Sequence, residues 1–196
     1  MIVSTARGRL LAAGAELLSC LLVFLSVVTS AHALTPAGEY EVKAAFLVNF
    51  AGFVRWPGAA FANAASPFVV CVAGEDPFGA AFEPFKQNKV AGRSLDVRSL
   101  DSSSAVPGNC HILFVAGSET PRLSGILGAL RTTPVLTVSD LEDFAVDGGM
   151  IQFYVRNEKI RFEINQRAAE EAGLKIDARL LQLAAPARRD TQAGRW

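Results

Sequence analysis

The pattern of apolar and polar positions divides the chain into short strand-like and helix-like segments. Three apolar runs are typical of strands buried on both faces: 68–73, 111–116 and 134–139. Residues 94–100 alternate between apolar and polar instead, which predicts a strand with one solvated face. Residues 151–155 and 159–164 flank Arg156-Asn157-Glu158, and this arrangement predicts an antiparallel hairpin.

Helix signals separate these strands. The longest predicted helix covers residues 39–54, with Glu39 and Glu41 in its first turn and Trp56-Pro57 after its end. Shorter helices are predicted at 121–130, 165–171 and 177–184, and a single helical turn at 140–146. Strands that alternate with helices and end in a hairpin indicate an α/β fold, a three-layer domain with a central mixed β-sheet flanked by helices.

The predicted helix at 39–54 is apolar on more than one side. One side carries Val42, Phe46, Phe50 and Phe53, and another carries Leu47, Ala51 and Val54. A helix that is apolar nearly all round is buried on more than one side, so one side is expected to pack on the sheet and the other to need a cover. We therefore expect a protein–protein interface here, with four candidate residues: Phe46, Leu47, Phe50 and Phe53. The alternative is that another helix of the chain, such as 177–184, supplies the cover.

The N-terminal residues have the order of a secretory signal peptide. Arg7 and Arg9 precede an apolar run at 17–28, and Ala31-His32-Ala33 places small residues at the two positions that signal peptidase reads. Cleavage is expected after Ala33, which predicts secretion to the periplasm. The chain then divides into a signal peptide at 1–33, an α/β domain at 34–185 and a flexible C-terminal tail at 186–196.

Two alternatives for the N-terminal segment stay open. A retained membrane anchor over residues 10–28 would have to bury Glu16 in lipid. Lipidation at Cys20 fits the preceding Leu17-Leu18-Ser19 loosely, but the apolar run continues for eight residues after Cys20, where a lipoprotein normally becomes polar.

Composition restricts the classes of protein further. The 196-residue chain is 51% hydrophobic and 19% charged, with a formal net charge of zero, which is too apolar for a disordered protein. The largest basic cluster is the pair Arg188-Arg189, so the sequence offers no basic surface for nucleic acid or anionic membranes. Loss of Cys20 with the signal peptide leaves Cys71 and Cys110, which usually pair in an oxidising compartment. The alternative is two separate buried thiols.

The sequence contains no recognisable catalytic motif. Gly74 and Gly79 have the spacing of a phosphate-binding loop, but no Lys-Ser/Thr pair follows, and dinucleotide and hydrolase motifs are missing. His111 follows Cys110 directly, but a disulfide at Cys110 excludes a Cys-His nucleophile, so His111 is interpreted as structural. The acidic residues within 140–147 match no calcium loop and are interpreted as a solvated face. We expect no enzymatic activity, no cofactor and no metal.

Several short stretches of sequence are more specific for a protein family than these general patterns are. In chain order they are 41–47 with Asn49-Phe50 and Trp56-Pro57, 71–79, Gly92-Arg93, 110–115, 136–140 with Phe144, 148–151, 161–165 and 180–184. In this order and spacing, over about residues 39–185, the chain resembles the YfiR family of periplasmic proteins.

The resemblance implies regulation of signalling rather than catalysis. YfiR-like proteins bind the periplasmic sensor region of an inner-membrane diguanylate cyclase and repress cyclic-di-GMP synthesis, which links them to biofilm formation. An OmpA-like outer-membrane lipoprotein sequesters the repressor and releases the cyclase. The resemblance also implies a homodimer and a family disulfide between Cys71 and Cys110. Some members carry a second cysteine pair late in the domain, and the corresponding residues 145–152 contain no cysteine.

A second interpretation of the resemblance involves a small ligand. The chain would then be a periplasmic small-molecule-binding accessory domain for another membrane sensor, such as a histidine kinase. Arg161, on the polar side of the predicted strand 159–164, is the candidate to bind an anionic ligand. The alternative role for Arg161 is an ordinary salt bridge.

Overall fold

The computed structural model describes residues 35–101 and 105–186, and the predicted signal peptide, with Cys20, and residues 187–196 of the predicted tail lie outside them. The described residues form four α-helices: α1 (Pro36–Phe53), α2 (Leu123–Leu130), α3 (Gln166–Glu171) and α4 (Ala178–Leu183). They also form ten strands: β1 (Val54–Arg55), β2 (Phe68–Ala73), β3 (Lys89–Val90), β4 (Arg93–Leu100), β5 (Ile112–Val115), β6 (Leu136–Ser139), β7 (Ile151–Arg156), β8 (Lys159–Ile164), β9 (Lys175–Ile176) and β10 (Ala185–Pro186).

Eight of these strands form one mixed sheet in the order β10-β8-β7-β6-β5-β2-β4-β3. Neighbouring strands are parallel except for the β7–β8 and β3–β4 pairs, which are antiparallel. The predicted hairpin is therefore confirmed, and Asn157 and Glu158 close it with positive φ angles of 52° and 57°, as a tight two-residue turn requires. Strands β1 and β9 pair separately, antiparallel to each other.

The sheet is covered on both faces, which confirms the predicted three-layer α/β fold. On one face, α1 and α4 pack against the side chains that alternate along the strands, among them Val70, Phe114 and Phe153. On the other face, α2 packs against the intervening side chains, such as Leu113 and Val115. Strands covered on both sides explain the continuous apolar runs of the sequence, because neither set of side chains meets water.

Helix α1 begins earlier than the sequence pattern predicts. The Thr35 hydroxyl accepts a hydrogen bond from the Gly38 N–H (3.2 Å), and Pro36 occupies the first helical position, where its missing N–H costs nothing. The helix ends at Phe53, and the chain continues directly into β1. The helix therefore starts three residues before the predicted residue 39, because the Thr35 cap and Pro36, and not the acidic Glu39, mark its first turn.

Two other helix predictions are corrected. The chain enters α2 through a 3-10 helix (Gly117–Arg122), in which the Thr120 hydroxyl donates to the Gly117 carbonyl (2.7 Å), so the α-helix starts at Leu123 rather than at residue 121. Residues 140–146 form turns instead of a helical turn, and Asp143 adopts a positive φ of 57°, which interrupts α-helical geometry.

Candidate functional site

The predicted disulfide between Cys71 and Cys110 is present. Cys71 lies in β2 and Cys110 lies just before β5, the neighbouring parallel strand, with the two Cα atoms 6.0 Å apart. This separation is within the usual range for a disulfide. Both cysteines are buried in the layer between the sheet and α2. The bond therefore joins two central strands within the core and is not a surface thiol site.

The structure corrects the expected interface role of Leu47 and Phe50. Both side chains lie in the core between α1 and the sheet, with exposed fractions of 0% and 1%. They are three positions apart and thus share one side of the helix, so assigning them to opposite sides was wrong. Neither can contact a partner while the domain stays folded.

Phe46 and Phe53 are only partly buried. The Phe46 ring packs on Phe153 and Phe162 of the β7–β8 hairpin, with ring centroids 5.8 and 5.6 Å away. Phe53 lies under the guanidinium of Arg179 in α4, which is 5.4 Å from the ring centroid. Helix α4 therefore supplies part of the cover that the sequence pattern required, and the aromatic rings of the hairpin supply another part.

An outward side of α1 nevertheless remains accessible. We call it the outer stripe, and it consists of Val42, Ala45, Val48, Asn49 and Gly52. Val42 is 39% exposed, Ala45 and Val48 are half-buried, and Asn49 and Gly52 are exposed. The five residues of the stripe are uncharged, and Lys43 points into the protein, but the exposed Glu41 lies on the same side of α1, one turn before Ala45.

Lys43 fixes the first half of α1 to the sheet. Its ammonium is buried, with a residue exposure of 2%, and it forms ion pairs with Glu39 and with Asp140, the residue that follows β6. The Tyr40 ring lies 4.3 Å from the Lys43 Nζ, and the Tyr40 hydroxyl donates to Asp140 Oδ2 (2.8 Å). Burial and the Asp140 carboxylate raise the pKa of Tyr40, so the hydroxyl stays protonated. This cluster holds the outer stripe in a fixed position.

The sequence contains a signal for this cluster. Lys43 is a single cation inside an otherwise apolar part of the helix, and Asp140 directly follows an apolar strand. A charge in such a position needs a partner, because an unpaired buried charge is costly. The pattern pointed to a buried ion pair, although it could not identify the partner.

His111 is a structural residue, as its position in the sequence indicated. Its ring lies between Phe61 and Phe68, with centroid separations of 4.2 and 5.0 Å. Nδ1 accepts a hydrogen bond from the Val69 N–H (3.0 Å), and Nε2 lies 3.1 Å from the Ala60 carbonyl, to which it donates. Burial lowers the pKa of His111, in agreement with a neutral ring. With both nitrogens engaged by the backbone, His111 is not placed to act as a base or a ligand.

A polar groove of about 770 Å³ lies between α2, residues 145–150 and α3. At its rim, Arg131 and Arg167 both donate to the Glu171 carboxylate, at 3.1 and 3.0 Å. The candidate ligand residue Arg161 does not line this groove; it is exposed on β8, opposite Tyr154 of β7. The structure thus separates Arg161 from the arginines that do line a cavity.

Residues 35–101 and 105–186 contain no group of three His, Cys, Asp or Glu side chains that could hold a metal ion. Within the same residues, no helix has both the length and the apolar character needed to cross a membrane.

A sequence model of the YfiR/HmsC-like family matches residues 40–185, from the first turns of α1 to β10. No curated protein matches the chain. The matched region includes the disulfide, the outer stripe and the Lys43 cluster except for Glu39.

Proposed function

The chain belongs to the YfiR/HmsC-like family, and from that premise we propose that it acts as a homodimer that binds and represses the periplasmic sensor region of an inner-membrane diguanylate cyclase. Proteins of this family act as regulators in diguanylate cyclase pathways rather than as catalysts. Repression lowers cyclic-di-GMP and with it biofilm formation. The observation that carries this proposal is the family match over nearly all of the described α/β domain.

The proposed contact with the cyclase is the outer stripe of α1. The five stripe residues carry no charge, and burying the exposed Val42 with the half-buried Ala45 and Val48 against a partner is favourable, while the neighbouring Glu41 lies toward the start of the helix. The Lys43 cluster and the core below α1 hold this surface rigid, so binding requires little ordering of the helix. Phe46 and Phe53, at the margins of the stripe, are partly exposed and extend it.

Export through a cleaved signal peptide at 1–33 places the protein on the side of the membrane where this contact occurs. The internal disulfide agrees with an oxidising compartment, where such bonds persist. We further propose that an OmpA-like outer-membrane lipoprotein sequesters the protein and thereby releases the cyclase.

The direct test is capture of the cyclase from detergent-solubilised inner membranes of the same bacterium. Immobilised wild-type protein is expected to retain a membrane protein that converts GTP to cyclic-di-GMP, identified by mass spectrometry and by that activity. Adding soluble wild-type protein is expected to lower the rate of the captured enzyme. Retention of no cyclase, or of one whose rate is unchanged, would contradict the proposal.

Matched variants locate the contact. Val42→Asp places a charge on the outer stripe at a side chain that is 39% exposed, so the domain should stay folded while capture is lost. Val155→Asp places the same charge on the exposed end of β7 and should leave capture intact. Leu47→Asp is unsuitable, because the buried charge would unfold the domain.

The polar groove favours a second candidate function, an accessory domain that binds a small molecule for another membrane sensor such as a histidine kinase. Its volume is within the range of small-molecule sites, and an anionic ligand would compete with the Glu171 carboxylate for Arg131 and Arg167. Titration with succinate or inorganic phosphate, followed by thermal melting, tests this function. A rise in melting temperature that Arg131→Ala abolishes supports the groove, and one that only Arg161→Ala abolishes supports the exposed strand instead.

A further inference from the structure

Each edge of the main sheet is covered only in part, by a strand of two residues. At one edge, β10 contains Pro186, which cannot donate a hydrogen bond to an added strand, and it pairs only with Glu163 and Ile164, so residues 159–162 of β8 have no outer strand among the described residues. At the other edge, β3 pairs with β4 only through Lys89 and Val90. Residues 95–100 of β4 therefore have no strand on their outer side among the described residues, although they pair with β2 without a bulge on their inner side.

The direction of the backbone groups along this edge follows from two hydrogen bonds. Alternate residues of a strand direct their N–H and C=O groups to opposite sides. The Leu100 carbonyl accepts from the Gly74 N–H (3.2 Å), directly after β2, so the groups of Leu100 point inward. The groups of the odd-numbered residues Leu95, Val97 and Ser99 consequently point outward.

The β3–β4 hairpin leads to the same conclusion about which residues of β4 direct their backbone groups outward. Ala91 and Gly92, with positive φ angles of 50° and 81°, form its two-residue turn, which makes Val90 and Arg93 a hydrogen-bonded pair. Arg93, also odd-numbered, thus faces outward to β3. Beyond Arg93, residues 35–101 and 105–186 provide no hydrogen bond to the outward backbone groups of β4.

The side chains of this edge carry a self-complementary charge pattern. Asp96 and Arg98 lie on the same face of β4, where Arg98 Nη2 is 2.7 Å and Nε is 2.9 Å from Asp96 Oδ2. Both are about one-third exposed. If a second copy pairs antiparallel with Val97 opposite its own equivalent, Asp96 of each chain lies directly across from Arg98 of the other. Such facing residues approach closely enough to form cross-strand ion pairs.

We propose that residues 95–99 of β4 form the homodimer interface, pairing antiparallel with the same residues of a second copy about a twofold axis at Val97. Val97 would exchange both backbone hydrogen bonds with its equivalent, and Leu95 would do so with Ser99 of the second copy. The sheets of the two copies then join into one, and the outward backbone groups of residues 95–99 form hydrogen bonds in both copies. This assignment rests on the proposed self-association but not on the identity of the membrane partner, because the interface does not include the outer stripe.

A second copy fits this edge better than an extended segment of another protein. In an antiparallel twofold arrangement, Asp96 and Arg98 of one copy face Arg98 and Asp96 of the other. A strand of an unrelated protein would need a basic residue opposite Asp96 and an acidic residue opposite Arg98 in the same register. The exchange also replaces the two local Asp96–Arg98 ion pairs, one in each chain, by two equivalent pairs between the chains, so no charge loses its partner.

Charge reversal tests the arrangement. Asp96→Arg leaves two arginines on each edge, and Arg98→Asp leaves two aspartates, so like charges face each other in either homodimer. The dimer dissociation constant, measured by sedimentation velocity and multi-angle light scattering, should rise about tenfold or more for each variant alone. An equimolar mixture should recover the wild-type association, since every facing pair is again Arg with Asp.

Circular dichroism melts would verify that both variants are folded, and Val42→Asp serves as the control on a separate surface that should dimerise like wild type. A wild-type protein that stays monomeric at every concentration overturns the proposal. Two variants that dimerise like wild type also overturn it, as does a mixture that fails to recover association. A Val42→Asp protein that dimerises normally but captures no cyclase is the result expected if β4 forms the dimer and the outer stripe binds the cyclase. One that stays monomeric places the dimer contact on α1 and overturns the β4 assignment.

Discussion

At the scale of single residues, His111 makes the stability of the domain depend on pH. Burial lowers its pKa below the ordinary value of about 6.5, so the unfolded chain binds the proton more readily than the folded one. The neutral ring's contribution to stability is full above about pH 6.5 and decreases as the pH falls below that value toward the lowered folded-state pKa. Protonation would also place a hydrogen on Nδ1, which now accepts from the Val69 N–H.

Urea unfolding between about pH 7.5 and pH 5 measures this effect. The wild-type protein should lose stability over this range, and His111→Gln should lose less because its side chain does not titrate. Equal losses in both proteins would show that other groups cause the pH dependence.

Lys43 is a second residue whose replacement should lower the stability of the domain. Lys43→Met leaves Asp140 without its buried cation and should lower the free energy of unfolding by about 3 kcal/mol. Lys86→Met removes an exposed pair with Glu83 and should change it by less than about 1 kcal/mol. Chemical denaturation of both variants tests the contrast, and similar small changes would mean that the Lys43 cluster contributes little.

Some of these residue roles were readable in the sequence. The structural role of His111 and the pairing of Cys71 with Cys110 were predicted. The burial of Leu47 and Phe50 on one side of α1 was not, because an apolar residue at nearly every position hides which ones face the sheet. The Lys43–Asp140 pair joins residues 97 positions apart, a distance over which local patterns carry no information.

At the scale of elements, the disulfide ties β2 to the start of β5 across 39 residues of sequence. The chain-entropy relation for a loop of this length gives a stabilisation of about 4 kcal/mol. Replacing both cysteines by alanine should lower the free energy of unfolding by a similar amount, measured with urea under oxidising conditions. Mass spectrometry without reductant should show the native chain lighter by two hydrogens, and two alkylatable thiols in the untreated protein would contradict the bond.

The helices and strands were predicted where the pattern of apolar and polar residues extended over enough positions to be detected. β2 was predicted with the bounds observed, and α3 and α4 begin after the capping residues Asn165 and Asp177 that marked them in the sequence. Strands β1, β3, β9 and β10 were missed, because two residues cannot display an alternation. These short strands depend on neighbours that only the tertiary fold brings together.

At the scale of the whole molecule, the three-layer arrangement can be predicted from the sequence, but the two proposed interaction surfaces cannot. Continuous apolar runs and intervening helices require a sheet covered on both faces, and the structure has this arrangement. Which strand lies at an open edge depends on the strand order, and the position of β4 between β2 and the short β3 was not readable from local patterns. The two proposed interaction surfaces therefore appear only once the fold is assembled.

The proposed repression of a diguanylate cyclase through the outer stripe of α1 should lower cyclic-di-GMP in the cell. The measurement that tests it most directly is the cellular cyclic-di-GMP concentration after deletion of the gene and complementation with wild type, Val42→Asp or Val155→Asp. Deletion should raise cyclic-di-GMP, wild type and Val155→Asp should restore the low level, and Val42→Asp should not, at equal protein abundance. An unchanged cyclic-di-GMP level in the deletion strain would contradict the proposed function, and full complementation by Val42→Asp would contradict the role of the outer stripe.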